Sequence, residues 1–329
     1  MIDTIRFITT QETNPYRNLA LEEYLLKQVN DREVILYLWQ NEKTVVIGKN
    51  QNPWKECRIA ELEADGGRLV RRLSGGGAVF HDLGNLNFTF LAGRENYDVD
   101  QQLEVILTAV NALGIPAVKS GRNDITTEGK KFSGNAFYSD GTHCYHHGTI
   151  LVKVDMAMLS RYLNVSREKL VTKGVESVRA RVTNLSEYVP SLNIEQMKQE
   201  LLRSFRKVYS LEPEELTLSE MPTEEIEHLT QKYTSREWNL GRRMEFNYSV
   251  DRRFSWGGIE LLFIVSSGRI TECRIYTDAL ETGVFEQLSD ALTGCEFSSA
   301  AIIRELNRLP ATEAVWKEDI INLIRDAAI

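Results

Sequence analysis

Short β-rich runs interleaved with amphipathic helical stretches predict a chain that mixes helix and strand in two domains. Three observations carry that expectation. The 329 residues exceed one small core, given a usual domain size of about 100–200 residues. Apolar residues recur at alternating spacing in some segments and at helical spacing in others. The pattern breaks around Gly241, Arg242 and Arg243, and a compact run of strands and helices follows. A small second domain is therefore expected from about residue 247, giving units 1–246 and 247–329.

The elements follow in order. Asn14 and Pro15 precede periodic Leu19, Leu21, Tyr24 and Leu25, a helix with proline in its first turn. Residues 34–39 and 44–47 are short strands, and 56–63 is helical until Gly66 and Gly67 break it. Residues 68–70 form a strand entering a glycine loop, and 87–91 form another. A helix over 101–113 is stopped by Gly114 and Pro116. Strands are expected around 124–125, 132–137 and 148–154. Helices are expected over 155–163 and 194–209, the second opened by a capping box of Asn193 and Gln196. Residues 211–225, rich in Glu and Thr, read as a loop. Strands at 246–250, 259–265 and 269–277 then follow, the last two joined by a Ser266-Ser267-Gly268 turn. Helices over 283–293, 298–308 and 312–327 complete the chain.

Composition excludes several classes. With 42% hydrophobic and 26% charged residues, the chain is ordinary for a soluble globular protein. It has no apolar run near the ~20 residues of a membrane span and no signal-peptide layout at its start. A net charge of −8 argues against general nucleic-acid binding. The four cysteines, Cys57, Cys144, Cys273 and Cys295, lack zinc or disulfide spacing, so a reduced, cytoplasmic protein is expected, with monomer as the default state.

The chemistry concentrates in five segments. The first is Arg71-Arg72-Leu73-Ser74-Gly75-Gly76-Gly77-Ala78-Val79-Phe80-His81-Asp82. Three glycines between apolar runs cost backbone entropy and suit a place where something approaches the backbone closely. Two arginines at its mouth suit an anion, and a turn with two solvated arginines stays open beside that reading. The spacing is neither a P-loop nor a dinucleotide fingerprint. The second segment, Gly121-Arg122-Asn123-Asp124-Ile125, is a strand entry or a pair of ligand-holding polar groups. The third holds Lys131, Phe132, Ser133, Gly134, Asn135 and Ala136, alternating large and small side chains as a strand against a ligand would, with Lys131 as a point charge. In the fourth, adjacent His146 and His147 on a strand point to opposite faces and cannot grip one metal together. The fifth, Lys173 to Asn184, has a glycine hinge and alternating Val178, Arg179 and Arg181, which places both arginines on one face if extended.

In this order and spacing, R-R-x-S-G-G-G-A-V-F-H-D-x-G-N, G-R-N-D, K-x-S-G-x-A, H-H-G-T and K-G-x-x-S-V-R-x-R-V-T-N-L resemble the lipoate–protein ligase A family. The likeness extends to the segment from Asn52 to Cys57, to Trp238 and Asn239, and to Trp256, Gly257 and Gly258. It implies an α+β catalytic domain with a mixed sheet, of the biotin/lipoate ligase type, and a small α+β C-terminal accessory domain. It also implies two steps: lipoate and ATP form lipoyl-AMP, then an acceptor lysine takes the lipoyl group. The implied partners are lipoyl domains of 2-oxoacid dehydrogenase E2 subunits and the glycine-cleavage H protein. The implied cofactors are ATP and Mg2+.

Carried onto this sequence, the resemblance makes Lys131 the catalytic lysine, touching both acid and phosphate. ATP contacts fall to Arg72, Gly77, Ala78, Val79, Phe80, Asn123, Asp124, Lys131, Lys173, Val178, Arg179 and Arg181. Lipoate contacts fall to Arg71, Ser74, Gly75, Gly76, Gly77, His81, Lys131, Ser133, Ala136 and His147, and Asp124 is the expected Mg2+ ligand. Val79, Phe80, Phe88 and Ala136 are expected around the acyl tail. Two rivals remain: a cysteine-dependent octanoyl or lipoyl transferase using Cys144, and a non-catalytic lipoyl-binding protein.

Overall fold

The computed structural model describes residues 2–121, 123–164, 182–242, 244–309, 315–327 and 329. They form two compact units. The first comprises residues 1–46, 54–71 and 78–239, and the second comprises 47–53, 72–77 and 240–329. The expected sites at Lys173, Val178, Arg179 and Arg181 lie outside the described residues.

The first unit is built on strands β1 (Thr4–Thr9), β2 (Glu33–Trp39), β6 (Asn85–Gly93), β7 (Val118–Ser120), β8 (Asp124–Thr127), β9 (Lys130–Ser139), β10 (His143–Leu151) and β11 (Pro213–Glu215). They make one eight-stranded mixed sheet in the order β11-β1-β2-β6-β10-β9-β8-β7. A small second sheet joins β4 (Arg68–Arg71), β3 (Thr44–Ile47) and β5 (Val79–His81).

The large sheet has two unlike faces. Alternation along β6 sends Phe88 and Phe90 to one side and Asn87 and Thr89 to the other. The apolar side carries the core, where Val34, Leu36, Phe88, Phe90 and Ile150 pack against Val105, Ile106, Leu201 and Phe205. Those partners belong to α4 (Val99–Ala112) and α6 (Ile194–Tyr209). The opposite side is buried but polar, lined by Tyr37, Trp39, Asn87, Thr89 and His147. There α1 (Pro15–Gln28) lays Glu22 over Thr89 and His147. A buried polar face signals a place for something other than core packing.

Local signals explain the helix ends. Asn14 caps α1 by accepting from Tyr16 N, and Pro15 fills the first turn. Asp155 caps α5 (Met156–Tyr162), and Asn193 and Gln196 complete the capping box of α6. Several expectations shift. The strand carrying the histidines starts at His143 and ends at Leu151. The supposed loop over 211–225 supplies β11, which pairs with β1, and the start of a further helix, α7 (Thr223–Thr234), followed by α8 (Arg236–Leu240). The helix expected over 56–63 is two short pieces, α2 (Pro53–Glu56) and α3 (Ile59–Ala64).

The second unit contains an antiparallel sheet of β12 (Tyr248–Arg253), β13 (Gly258–Ser266) and β14 (Arg269–Thr277). It packs Leu261, Phe263, Leu288, Ile302 and Ile320 into one core with α9 (Gly283–Leu292), α10 (Ser299–Arg308) and α11 (Val315–Ala327). No helix among the described residues is long and apolar enough to cross a membrane.

Candidate functional site

Lys131 heads the site in the first unit. Its Nζ lies 2.6 Å from Asp124 Oδ1, and both side chains are about one-third exposed, at 36% and 38%. Strict alternation along β9 would place Lys131 with Ser133 and Asn135, on the core side. A register shift between Ile125 and Thr126 prevents this: Ile125 pairs with Ser133, but Thr126 pairs with Lys131. This β-bulge turns Lys131 to the opposite, polar face. The ammonium lies over Gly134, so close that a Cβ there would meet Nζ at 2.8 Å and Cε at 2.9 Å. The backbone of Lys131 is held by Thr183, whose N donates to its carbonyl at 2.9 Å.

The bulge also sorts the other expected contacts. Gly134, Ala136, Thr149 and His147 share the face of Lys131. Ser133 does not: it pairs with Ile125, a core residue, and its buried hydroxyl has no hydrogen-bond partner among the described residues. Phe88, expected beside the acyl tail, packs edge-on against His146 in the core instead. Cys144 pairs with Ala92, another core residue, so it too lies on the face opposite Lys131. Asn123 is tied to β9: its Nδ2 donates to Asn135 O at 3.0 Å, and Asn135 N returns a bond to Asn123 O at 2.8 Å.

The two histidines do point apart, and both are hydrogen-bonded. His147 Nδ1 lies 2.8 Å from Glu22 Oε1, which also accepts from Thr89 Oγ1 at 2.7 Å. His146 sits among Phe88, Phe90 and Phe137. Burial pushes its imidazole down to about 3, and the charges of His147 and Lys119 push the same way. The ring is therefore neutral. It donates from Nε2 to Asn135 Oδ1 at 2.8 Å, while Nδ1 faces the Gln102 amide at 3.2 Å.

This burial has a measurable consequence. In the unfolded chain the same imidazole takes a proton below pH 6.5, whereas the folded one stays neutral until about pH 3. The unfolded state thus binds more protons across that window, and stability falls as the pH drops through it. At pH 5 the loss from this residue is roughly 2 kcal/mol relative to neutral pH. Urea melts from pH 7 to 5 will show a shallower decline in His146→Phe than in the wild type. Equal slopes would remove His146 as the cause.

Both arginines are bonded within the chain. Arg71 is 8% exposed, and its guanidinium donates to Trp238 O at 3.0 Å and Asn239 O at 2.9 Å. Its backbone N donates to Asn239 Oδ1, and Trp238 Nε1 donates to its carbonyl. Arg71 is thus engaged in closing β4 onto α8. His81, 4% exposed, lies 3.2 Å from Asn41 Nδ2 and edge-on to Trp39. Phe80 packs on Tyr162.

In the second unit, Arg72 braces the glycine loop from within. Its Nη2 donates to Gly75 O and Gly77 O at 2.6 and 2.9 Å, and its Nε to Ser74 Oγ at 3.0 Å. Gly75 and Gly76 are required for separate reasons. A Cβ on Gly75 would meet the carbonyl oxygens of Ala279 and Leu280 at 2.3 and 2.4 Å. Gly76 has φ +87° and donates its N–H to Ala279 O at 2.9 Å. Gly77 faces open space. The close approach that the sequence assigns to a ligand is made, at Gly75 and Gly76, by the chain's own segment around Ala279.

Among the described residues no group of three His, Cys, Asp or Glu side chains could hold a metal ion. Asp124 offers one carboxylate with an oxygen already on Lys131. That arrangement suits a cation arriving on phosphates and does not form a resident metal centre.

The chain matches the model of the lipoyl protein ligase A/B catalytic domain over residues 14–206. It matches that of the bacterial lipoate protein ligase C-terminus over 243–324. P. falciparum LipL1, solved in complex with lipoate, is 29% identical, with a TM-score of 0.87, over 98% of this chain and 99% of that one. A bi-partite lipoate protein ligase from Thermoplasma acidophilum, described with its E2 lipoyl domain, is 28% identical, with a TM-score of 0.65, over 74% and 99% of the two chains. A lipoate-protein ligase A bound with ATP is 27% identical, with a TM-score of 0.62, over 73% and 99%.

Proposed function

The chain belongs to the lipoyl protein ligase A/B family, and from that premise we propose that it is an ATP-dependent lipoate–protein ligase. The observation that carries the reading is Lys131, turned by the bulge onto the polar face and paired with Asp124. In the first step a lipoate carboxylate oxygen bonds to the α-phosphorus of ATP. The bond to the β-phosphate oxygen breaks, and pyrophosphate leaves with its electron pair. Negative charge builds on the phosphoryl oxygens, and the positioned ammonium of Lys131 offsets it. In the second step the acceptor lysine amine bonds to the acyl carbon, the acyl–oxygen bond breaks, and AMP departs as the amine loses a proton. Asp124 would help hold a Mg2+ ion carried on the phosphates of ATP, an ion that would offset their charge.

The acceptor class is a lipoyl domain, either of an E2 subunit or of the glycine-cleavage H protein. The support is the relative from Thermoplasma acidophilum, described with such a domain. A thioester route through Cys144 is disfavoured, because that thiol sits on the core face with its Sγ 3.2 Å from Ser139 Oγ.

The test is pyrophosphate release on mixing the protein with lipoate and ATP, with Cys144→Ala run beside the wild type. Release that depends on both substrates and survives in Cys144→Ala is the expected result. Acyl transfer without ATP that disappears in Cys144→Ala would replace this reading with the transferase.

A further inference from the structure

Asn87 lies in the middle of the polar face and has an unmet need. It is 1% exposed, its Oδ1 accepts from Asn85 Nδ2 at 2.9 Å, and its own Nδ2 meets no hydrogen-bond partner among the described residues. The Oδ1 of Asn85 is likewise without one. Turning both amides over does not cure this. The pair would still share one bond, since one amide supplies the NH2 and the other the carbonyl oxygen. Buried amides are rarely left so, and an exception calls for a cause.

Position supplies the cause. Asn87 pairs across the sheet with Thr149, Thr149 Oγ1 reaches Gly134 N at 3.3 Å, and Gly134 pairs with Asp124. One row therefore runs from Asp124 through Gly134, beneath the Lys131 ammonium, to Thr149 and Asn87. An acid oxygen held by Lys131 above Thr149 is about one strand spacing, ~4.8 Å, from Asn87. An asparagine side chain plus one hydrogen bond spans that gap.

We propose that Asn87 Nδ2 is a second donor to the acyl group, opposite Lys131. It binds the carboxylate oxygen that does not attack phosphorus and that remains as the carbonyl of the adenylate. When the acceptor amine adds to the acyl carbon, negative charge gathers on that same oxygen, and the amide N–H is already aimed at it. Asn87 thereby fixes which of the two carboxylate oxygens attacks. The proposal rests on the ligase reading above.

The full chain is assayed as wild type, Asn87→Leu and Asn87→Asp. Pyrophosphate release is followed against lipoate and against ATP, lipoate affinity is measured by calorimetry, and thermal midpoints are recorded. For Asn87→Leu the KM for lipoate rises about tenfold, the size expected for one lost hydrogen bond to a charged group. The KM for ATP stays within about twofold, and the midpoint falls modestly, because Asn85 Nδ2 loses its bond to the Asn87 carbonyl oxygen. Asn87→Asp keeps the shape, brings repulsion in place of a donor, and does not rescue. An unchanged KM for lipoate overturns the proposal, as does a parallel rise in both KM values. If the wild type released no pyrophosphate, the ligase reading would fall by itself. Calorimetry would then still decide the donor: about tenfold weaker lipoate binding in Asn87→Leu supports it, and equal affinity overturns it.

Discussion

Lys131→Ala will lower lipoate- and ATP-dependent pyrophosphate release by about 10²–10³-fold or more, the usual consequence of removing a preorganised group that meets developing charge. The fold will hardly notice. The ammonium and its partner Asp124 are each more than one-third exposed, and ion pairs of that kind contribute at most about 1 kcal/mol. Lipoate binding should weaken only partly, because burial of the acyl tail does not depend on the ammonium. Calorimetric binding and pyrophosphate kinetics on the same preparation separate the two effects. Turnover within a factor of two of the wild type would remove Lys131 from the reaction.

Gly134→Ala will produce a related defect without replacing any charged residue. The added methyl would lie 2.8 Å from Lys131 Nζ and 2.9 Å from Cε, which are the mobile end of a flexible side chain. The ammonium moves and the backbone stays. Replacing a strand glycine by alanine even favours folding by roughly 0.5–1 kcal/mol where space allows. A displacement near 1 Å at a reacting group can lower turnover about 10²-fold. We therefore expect a thermal midpoint at or slightly above that of the wild type together with turnover reduced by one to two orders of magnitude, by the same estimate. Gly148 makes a useful contrast: a Cβ there would meet Gly134 O and the Phe88 ring, both at 2.6 Å. The same change at that position acts on the fold. A Gly134→Ala protein with unaltered turnover would show that the ammonium does not need its place above residue 134.

Much of the fold was legible because its signals are local. The Asn14 cap with Pro15, the box of Asn193 and Gln196, and the turn through Gly268 are each written in a few adjacent residues. The helix Thr223–Thr234 was missed because its buried face amounts to Leu229, Thr230 and Tyr233, too thin a stripe to stand out in a Glu-rich stretch. Among the candidate residues, Lys131, Asp124 and the glycine loop stand out in the sequence, but their surroundings do not. Arg71 reads as an anion binder until Asn239, 168 positions away, takes its guanidinium. Ser133 and Phe88 look like pocket residues until strand alternation, reset by the bulge, assigns them to the core. The cause of Gly75 and Gly76 is a segment about two hundred residues downstream. Pairings of this range leave no mark in neighbouring residues.

The irregular register between Ile125 and Thr126 makes chain length, and not only side-chain identity, decide which face Lys131 takes. Adding one residue between Ile125 and Thr126 would give Phe132 a partner and restore strict alternation along β9 while leaving every side chain of the candidate site present. It would nevertheless swing the lysine through the sheet to its greasy underside. The spacing that aims residue 131 is thus a constraint of its own, separate from the identity of its neighbours.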